Sequence, residues 1–290
     1  MKNRKVSSFI ESYLFLLPFG IPFLAFLLFP VLFGLFISFH QWDFLADSKP
    51  FVGIKNYLDL LSDQLFLLSL KNTVYFVVLT APALIVLGML FALLLNTNIK
   101  GKSFFRGAIF SAYLLPVSVV AVIWGWILQT KMGLLNFYIN KLGITHIPWL
   151  SSVYWSMPAI SLTTVWWTVG FSMVIFLAGL QEIPDQLYEA ARIDGAGVLQ
   201  QFRFITLPLL GSSTLFVAVI TVIRSFQVFG QVYIMTLGGP ADSTRVIVQQ
   251  VYETGFQYFR MGSASAQAFV LLLILAILTF VQFKIGRRKY

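Results

Sequence analysis

Two sets of residues recur at helical spacing within apolar stretches of the chain. One set comprises Thr164, Thr168 and Phe171, and the other comprises Thr221, Ser225 and Val228. Residues at positions i, i+4 and i+7 lie on one face of a helix. Hydroxyl groups on such a face can hydrogen-bond a polar ligand, and the neighbouring Trp167 and Gln227 add an aromatic ring and an amide. Hydrogen bonding of each hydroxyl to its own helix backbone is the alternative that the sequence leaves open.

Arg224 is the one charged residue that lies well inside an apolar stretch. A charge at the centre of a bilayer costs roughly 2.5–3.5 kcal/mol even on permissive scales, so such residues usually have a function. Arg224 can pair with an acidic group of a partner subunit, extend towards the membrane interface or bind an anionic ligand. The apolar stretches carry no acidic residue, so a salt bridge within them is not expected.

Enzymatic chemistry is not indicated by the remaining polar residues. The tripeptide Gly-Lys-Ser at residues 101–103 resembles the end of a P-loop, but that motif needs a glycine five residues earlier, where Asn96 stands. The chain has no cysteine, and His40 and His146 fall in predicted loops. We therefore predict no catalytic residue, no metal site and no nucleotide site.

The composition is that of a membrane protein. Hydrophobic residues make up 58% of the 290 residues, charged residues 11%, and the mean hydropathy is +0.84. Soluble domains have roughly a quarter of their residues charged. The net charge of +9 would suggest a nucleic-acid partner in a soluble protein, but here the basic residues gather at the ends of apolar stretches. We therefore predict membrane lipid around the chain and no nucleic acid.

Six segments are long and apolar enough to cross a bilayer, which takes about 20 residues in a helix. They are residues 13–39, 72–96, 107–128, 154–180, 207–237 and 262–283. The first is much longer than the apolar region of a signal peptide, about 7–15 residues. The sequence therefore predicts an all-α polytopic membrane protein in which residues 1–290 form a single transmembrane domain with six transmembrane helices.

The distribution of Lys and Arg predicts the orientation. Cytoplasmic loops and tails carry an excess of these residues. The strongest basic clusters are the loop at residues 100–106 and the tail at residues 284–290, and both lie on the same side if the chain has six spans. We therefore predict that both termini are cytosolic, including the segment 1–12 and the basic tail 284–290.

A polar insert at residues 181–206 separates the fourth and fifth predicted spans. Pro184 and Asp185 predict a helix start with Asp185 as the N-cap, and Gly195 and Gly197 predict its end. A second helix then leads back into the membrane. The insert is either a docking surface for a cytosolic protein or an amphipathic linker without a partner.

The insert resembles the EAA loop of binding-protein-dependent ABC importer permeases. The matching positions are Glu189, Ala190, Ala191, Asp194, Gly195, Ala196, Phe202, Ile205, Leu207 and Pro208. The rest of the chain is similar to the carbohydrate-importing branch of that family, which contains the maltose and glycerol-phosphate permease subunits. This similarity covers residues 13–18, 51–57, 72–73, 92–96, 133–136, 233–240 and 262–266. Ser212 departs from the family, which often has a second proline there.

The resemblance implies an assembly and a mechanism. Two permease subunits would form the pore, two ATPase subunits would dock below it and hold ATP and Mg²⁺, and an extracellular solute-binding protein would deliver the ligand. The chain itself would hold no cofactor. A coupling helix would contact the ATPase through Leu187, Tyr188, Glu189, Ala190, Ala191, Asp194, Gly195 and Ala196. The location would be the plasma membrane of a bacterium or archaeon.

The resemblance also implies a sugar or an oligosaccharide as the substrate. The two helical sets match the regions from which maltose-type permeases contact sugar. The candidate substrate-binding residues are Thr164, Trp167, Thr168, Phe171, Thr221, Arg224, Ser225, Gln227 and Val228. A permease for an amino acid or a phosphate ester is the nearest alternative. A secondary transporter is less favoured, because no ion-coupling carboxylate is evident in the spans.

Overall fold

The computed structural model describes residues 15–97 and 100–287, and every regular element in these ranges is helical. The only extended pairings described there are two isolated bridges, His40 with Phe51 and Asp43 with Arg260. The prediction of an all-α chain is confirmed. The segment 1–12, the start of the first predicted span and the end of the basic tail lie outside the described residues.

Thirteen helical segments follow one another along the described chain. They are α1 (Phe15–Ser38), α2 (Lys55–Ser62), α3 (Gln64–Leu95), α4 (Lys102–Leu114), α5 (Val117–Ile127), α6 (Leu134–Lys141), α7 (Ser156–Gln181), α8 (Asp185–Ile193), α9 (Val198–Leu209), α10 (Gly211–Phe226), α11 (Gly230–Thr236), α12 (Ile247–Tyr252) and α13 (Met261–Arg287). Three π-helical turns occur at Leu24–Leu28, Phe202–Thr206 and Glu253–Gln257, and α4 ends in the 3₁₀ turn Ala112–Leu114.

Four of these helices are long and apolar enough to cross a membrane without a break: α1, α3, α7 and α13. Two further candidates are bent pairs, α4 with α5 at 99° and α9 with α10 at 64°. The chain therefore has four continuous spans, or up to six if each bent pair is one span. The predicted third span falls on the bent pair α4 and α5, and the predicted fifth span falls on the end of α9, on α10 and on α11, so neither is one straight helix.

The break between α4 and α5 occurs at a proline. Leu115 and Pro116 both have extended backbone, with ψ values of 140° and 144°. Proline lacks a backbone N–H and disfavours a helical conformation of the residue before it. The chain consequently turns at this point, more sharply than the kink that the sequence predicts.

The described chain divides into two compact units. The first comprises the described residues up to Asp63 together with Val251–Leu271. Within it, the Asn56 side-chain amide donates hydrogen bonds to the carbonyl oxygens of Ser38 and His40, at 2.8 and 2.9 Å. Gly262 lies so close to the His40 carbonyl oxygen that an added Cβ would sit 2.1 Å from it. The Asn56 bonds join α2 to the end of α1 and its loop, and the Gly262 contact joins that loop to the start of α13.

The second unit comprises Gln64–Gln250 and the described residues from Leu272 onwards. Its core is built where α3 packs against α7, around fully buried Phe76, Met173 and Phe176. Small residues let the helices approach closely, as is usual in membranes. A Cβ at Gly88 would lie 2.5 Å from the Ser172 side chain, so α3 and α7 meet at this glycine. This packing supports the polar faces of α7 and α10.

Candidate functional site

A cavity of about 500 Å³ lies in the second unit, bordered by α7, α10, α11 and the bend between α4 and α5. This volume is within the range of small-molecule sites, about 300–1,000 Å³. All nine residues that the sequence predicts to contact substrate line it: Thr164, Trp167, Thr168, Phe171, Thr221, Arg224, Ser225, Gln227 and Val228. The structure thus brings the two predicted helical faces together around one space, and their role in binding remains a prediction.

The threonine hydroxyls of the cavity are bonded to the backbone of their own helices. Thr164, Thr168 and Thr221 each donate to the carbonyl oxygen four residues earlier, at 2.8, 2.7 and 2.7 Å. For these three hydroxyl groups, the structure therefore shows the hydrogen bonding to the helix backbone that the sequence leaves open. Each hydroxyl oxygen keeps lone pairs, so it can still accept a hydrogen bond from a ligand.

Two side-chain hydrogen bonds connect neighbouring helices beside the cavity. The Gln231 amide nitrogen donates to the Thr164 hydroxyl at 3.2 Å, and the Ser225 hydroxyl lies 2.9 Å from that of Thr80. Because Thr80 gives its one proton to the Phe76 carbonyl oxygen at 2.8 Å, Ser225 is the donor in this pair. The bonds hold α3, α7, α10 and α11 in register around the cavity.

Ser172 adds a buried hydroxyl to the cavity lining. Its side chain is 1% exposed, and its Oγ has no hydrogen-bond partner among the described residues. Most buried polar groups in proteins are paired, so an unpaired hydroxyl at a cavity wall is a candidate ligand donor. Ser172 lies eight residues after Thr164, and the extension of the hydroxyl stripe by one more helical turn is the signal that could have identified it.

Arg224 lies over two stacked aromatic rings. Its guanidinium carbon is 4.7 Å from the centre of the Phe171 ring and 5.5 Å from that of Tyr113, and the two rings are 5.4 Å apart. One guanidinium nitrogen also donates to the Tyr113 hydroxyl. The sequence does not predict Tyr113 as a cavity residue, because its contact with Arg224 depends on the bend after α4. The described lining of the cavity contains no carboxylate.

The Trp167 indole is held by the same bend. Its Nε1 donates to the carbonyl oxygen of Leu115 at 3.2 Å. Leu115 is one of the two extended residues between α4 and α5, so its carbonyl is free of a helical bond and accepts this proton. The indole nitrogen is therefore occupied, and the ring contributes an aromatic surface to the cavity.

The polar insert contains the predicted short helix, with corrected ends. Pro184 occupies the N-cap position, and Asp185 is the first helical residue without a side-chain cap bond. The prediction of Asp185 as N-cap is wrong by one residue. Its carboxylate lies in the first helical turn, where the helix dipole favours negative charge.

The end of α8 is a Schellman motif built on Gly195. Gly195 has a φ of +80°, the Gly195 N–H donates to Arg192 O at 3.1 Å, and the Ala196 N–H donates to Ala191 O at 2.8 Å. This left-handed geometry favours glycine. Gly197 has a φ of −70° and instead precedes α9, where its N–H donates to the Gln200 side chain at 2.8 Å. The prediction that Gly197 helps to end α8 is wrong.

The insert presents apolar side chains that the described residues leave uncovered. Ile193, Val198 and Leu199 are 87%, 86% and 78% exposed. Tyr188 is half-buried, and its hydroxyl lies 2.9 Å from that of Thr206. The predicted coupling residues Leu187, Tyr188, Glu189, Ala190, Ala191, Asp194, Gly195 and Ala196 all lie on α8 or on the turn that ends it. Exposed apolar surface of this kind marks interaction sites.

The model of the family described as "binding-protein-dependent transport system inner membrane component" matches residues 84–289 of the chain. The chain belongs to this family. The trehalose/maltose transport system permease protein MalF of Thermococcus litoralis is 34% identical over 95% of this chain and 93% of its own length. The sn-glycerol-3-phosphate transport system permease protein UgpA of Agrobacterium fabrum is 34% identical over 97% of this chain and 96% of its own length.

Two solved structures share the fold over 98% of the chain. A crystal structure of a bacterial ABC transporter involved in the import of the acidic polysaccharide alginate contains a chain with a TM-score of 0.87 and 24% identity, covering 98% of both chains. The family match and the relatives that are 34% identical show that the protein is a multi-pass membrane permease subunit of an ABC importer, which is not itself an enzyme. The identification drawn from the EAA-like insert is confirmed.

Proposed function

We propose that this permease subunit carries a sugar or an oligosaccharide through the cavity beside α7 and α10. The observation that carries the proposal is the lining of that cavity, in which hydroxyl acceptors alternate with the aromatic surfaces of Trp167 and Phe171. Hydroxyl groups bind the hydroxyls of a sugar, and aromatic faces pack against its apolar side. Relatives that are each 34% identical are named for trehalose and maltose, sn-glycerol-3-phosphate and sulfoquinovosyl glycerol, which supports this class.

The proposed assembly contains a second permease subunit, two ATPase subunits and an extracellular solute-binding protein. The α8 segment would dock into the ATPase, which holds ATP and Mg²⁺, and both termini would lie in the cytosol of a bacterium or archaeon. Exposed Ile193, Val198 and Leu199 provide apolar surface for that contact. A coupled ATPase shifts the permease between conformations only if its ATP-bound state prefers one of them. Rigid attachment of α8 is what would transmit that preference to α10.

Reconstitution tests this function. The subunit, its partner permease and its ATPases would be placed in proteoliposomes with the solute-binding protein, and uptake of a labelled panel of mono- and oligosaccharides, amino acids and phosphate esters would be measured. We expect at least one saccharide to accumulate only with both ATP and the binding protein. The matched control replaces ATP with ADP.

The panel also separates this proposal from its nearest alternative. Accumulation of an amino acid or a non-sugar phosphate ester, with no saccharide transported, would show that the proposed substrate class is wrong. Uptake driven by an ion gradient without ATP would instead favour a secondary transporter.

A further inference from the structure

We propose that the cavity selects a saccharide that carries an anionic group, such as a carboxylate, sulfonate or phosphate, and that Arg224 binds that group. This inference rests on the proposed function. It starts from the charge of the cavity, where Arg224 is the one ionised side chain among the described lining residues. A cation without a carboxylate among the described lining residues attracts an anion that enters the cavity.

The contacts of Arg224 leave most of its donors available. A guanidinium has five N–H donors, and the Tyr113 hydroxyl accepts from one of its nitrogens. The faces of the Phe171 and Tyr113 rings hold the guanidinium but accept none of its N–H groups in a conventional hydrogen bond. Because the planar guanidinium fits carboxylate and phosphate oxygens in pairs, the remaining donors form a pre-oriented anion site.

The position of Arg224 explains how the charge persists without a carboxylate. Arg224 lies in the last turn of α10, where the helix dipole favours a cation, and the two aromatic rings add cation–π attraction. Neither contribution consumes the outward donors. The side chain is also exposed, so a ligand in the cavity can reach it.

The neighbouring hydroxyls have the complementary polarity. Thr164, Thr168 and Thr221 have given their protons to backbone carbonyls, so they offer acceptors for the hydroxyls of a sugar. Arg224 offers donors only. A ligand that combines hydroxyl groups with one acidic group satisfies both sets, whereas a neutral sugar leaves the cation without an anion.

The absence of cysteine from the chain permits a direct test of the charge. Thr168→Cys would introduce one thiol on α7, one helical turn from Phe171, in the complete transporter with its partner subunits. Its labelling rates by a sulfonate-bearing and a trimethylammonium-bearing methanethiosulfonate would be compared on this chain after gel separation. We expect Arg224→Gln to lower the sulfonate-to-ammonium rate ratio at least about tenfold, and Arg224→Lys to preserve it.

Protection of the same thiol tests the ligand class. Cellobiouronate and cellobiose differ by one carboxylate in place of a hydroxymethyl group, and each would compete with neutral methyl methanethiosulfonate for Thr168→Cys. We expect cellobiouronate to slow labelling several-fold more than cellobiose when Arg224 is present. In Arg224→Gln its protection should fall to the level of cellobiose, while Arg224→Lys retains part of the difference.

The outcomes separate this inference from the proposed function. Equal protection by the two disaccharides would overturn anion selection and leave the saccharide cavity in place. An unchanged rate ratio in Arg224→Gln would also overturn it, because a carboxylate of the partner subunit would then neutralise the charge. Failure of saccharide uptake in proteoliposomes, with the charge effects intact, would count against the proposed function alone.

Discussion

At the scale of single residues, two serines of α7 differ in where they lie and not in how they are bonded. Ser161 and Ser172 are 4% and 1% exposed, and the Oγ of each lacks a hydrogen-bond partner among the described residues. An unpaired buried hydroxyl costs about 1–3 kcal/mol of stability. Only Ser172 borders the cavity. Because Ser161 carries the same cost away from the cavity, only the position of Ser172 singles it out as a candidate for ligand binding.

We therefore predict that Ser172→Ala stabilises the assembled transporter by about 1 kcal/mol and raises the KM for its substrate. Ser161→Ala is the matched control, with the same gain in stability and unchanged uptake. Thermal unfolding of the purified complex and initial uptake rates in proteoliposomes measure the two effects. An unchanged KM in Ser172→Ala would exclude the hydroxyl from substrate binding.

At the scale of the elements, the turn after α8 offers a test of coupling through its backbone geometry. Gly195 and Gly197 are both exposed, and an added Cβ would meet no atom within 3.4 Å at either position. They differ in backbone conformation, with φ values of +80° and −70°. A side chain is strained only at the first, by about 1–2 kcal/mol.

We predict that Gly195→Ala loosens the last turn of α8 and reduces both co-purification of the ATPase and substrate-stimulated ATP hydrolysis by severalfold. Gly197→Ala should leave both near the wild-type level, because alanine accepts its backbone angles. Co-purification from solubilised membranes and a phosphate-release assay measure the effects. If Gly195→Ala coupled as well as the wild type, the geometry of this turn would not matter for coupling, which would count against the proposed role of α8.

The helices also show which parts of the fold can be predicted from the sequence. Apolar runs of about 20 residues predict where helices cross, since each must satisfy its backbone internally. A proline within such a run does not reveal whether the helix bends or breaks. Pro82 lies inside the continuous helix α3, whereas Pro116 lies in the 99° bend between α4 and α5. The outcome depends on which neighbours satisfy the freed carbonyls, as Trp167 does for Leu115.

The same limit applies to the site. The faces of α7 and α10 were predictable, because helical periodicity depends only on local geometry. Tyr113 was not, since it meets Arg224 across 111 residues of sequence through tertiary packing. Gln231 carried a weak signal as a second amide four residues after Gln227 in an apolar run. Local patterns thus predict the walls of the cavity, and packing decides what completes it.

At the scale of the whole molecule, the orientation in the membrane connects the cavity to its energy source. The basic loop around residues 100–106 and the α8 segment must lie on the ATPase side if α8 is the coupling helix. The excess of Lys and Arg predicts the same side for both, because such residues stay in the cytoplasm. The orientation is therefore a prediction on which the proposed coupling depends, and it can be tested without reference to substrate.

Single-cysteine labelling in intact cells tests it, since the natural chain has no thiol. Thr97 is exposed between α3 and α4, and Ile144 is 50% exposed between α6 and α7. A membrane-impermeant maleimide should label Ile144→Cys from outside and reach Thr97→Cys only after the cells are opened, because the two loops are predicted on opposite sides. A permeant maleimide, which labels both, controls for reactivity. Labelling of Thr97→Cys from outside would show that the chain has the opposite orientation. In that case α8 would lie where no ATPase could reach it.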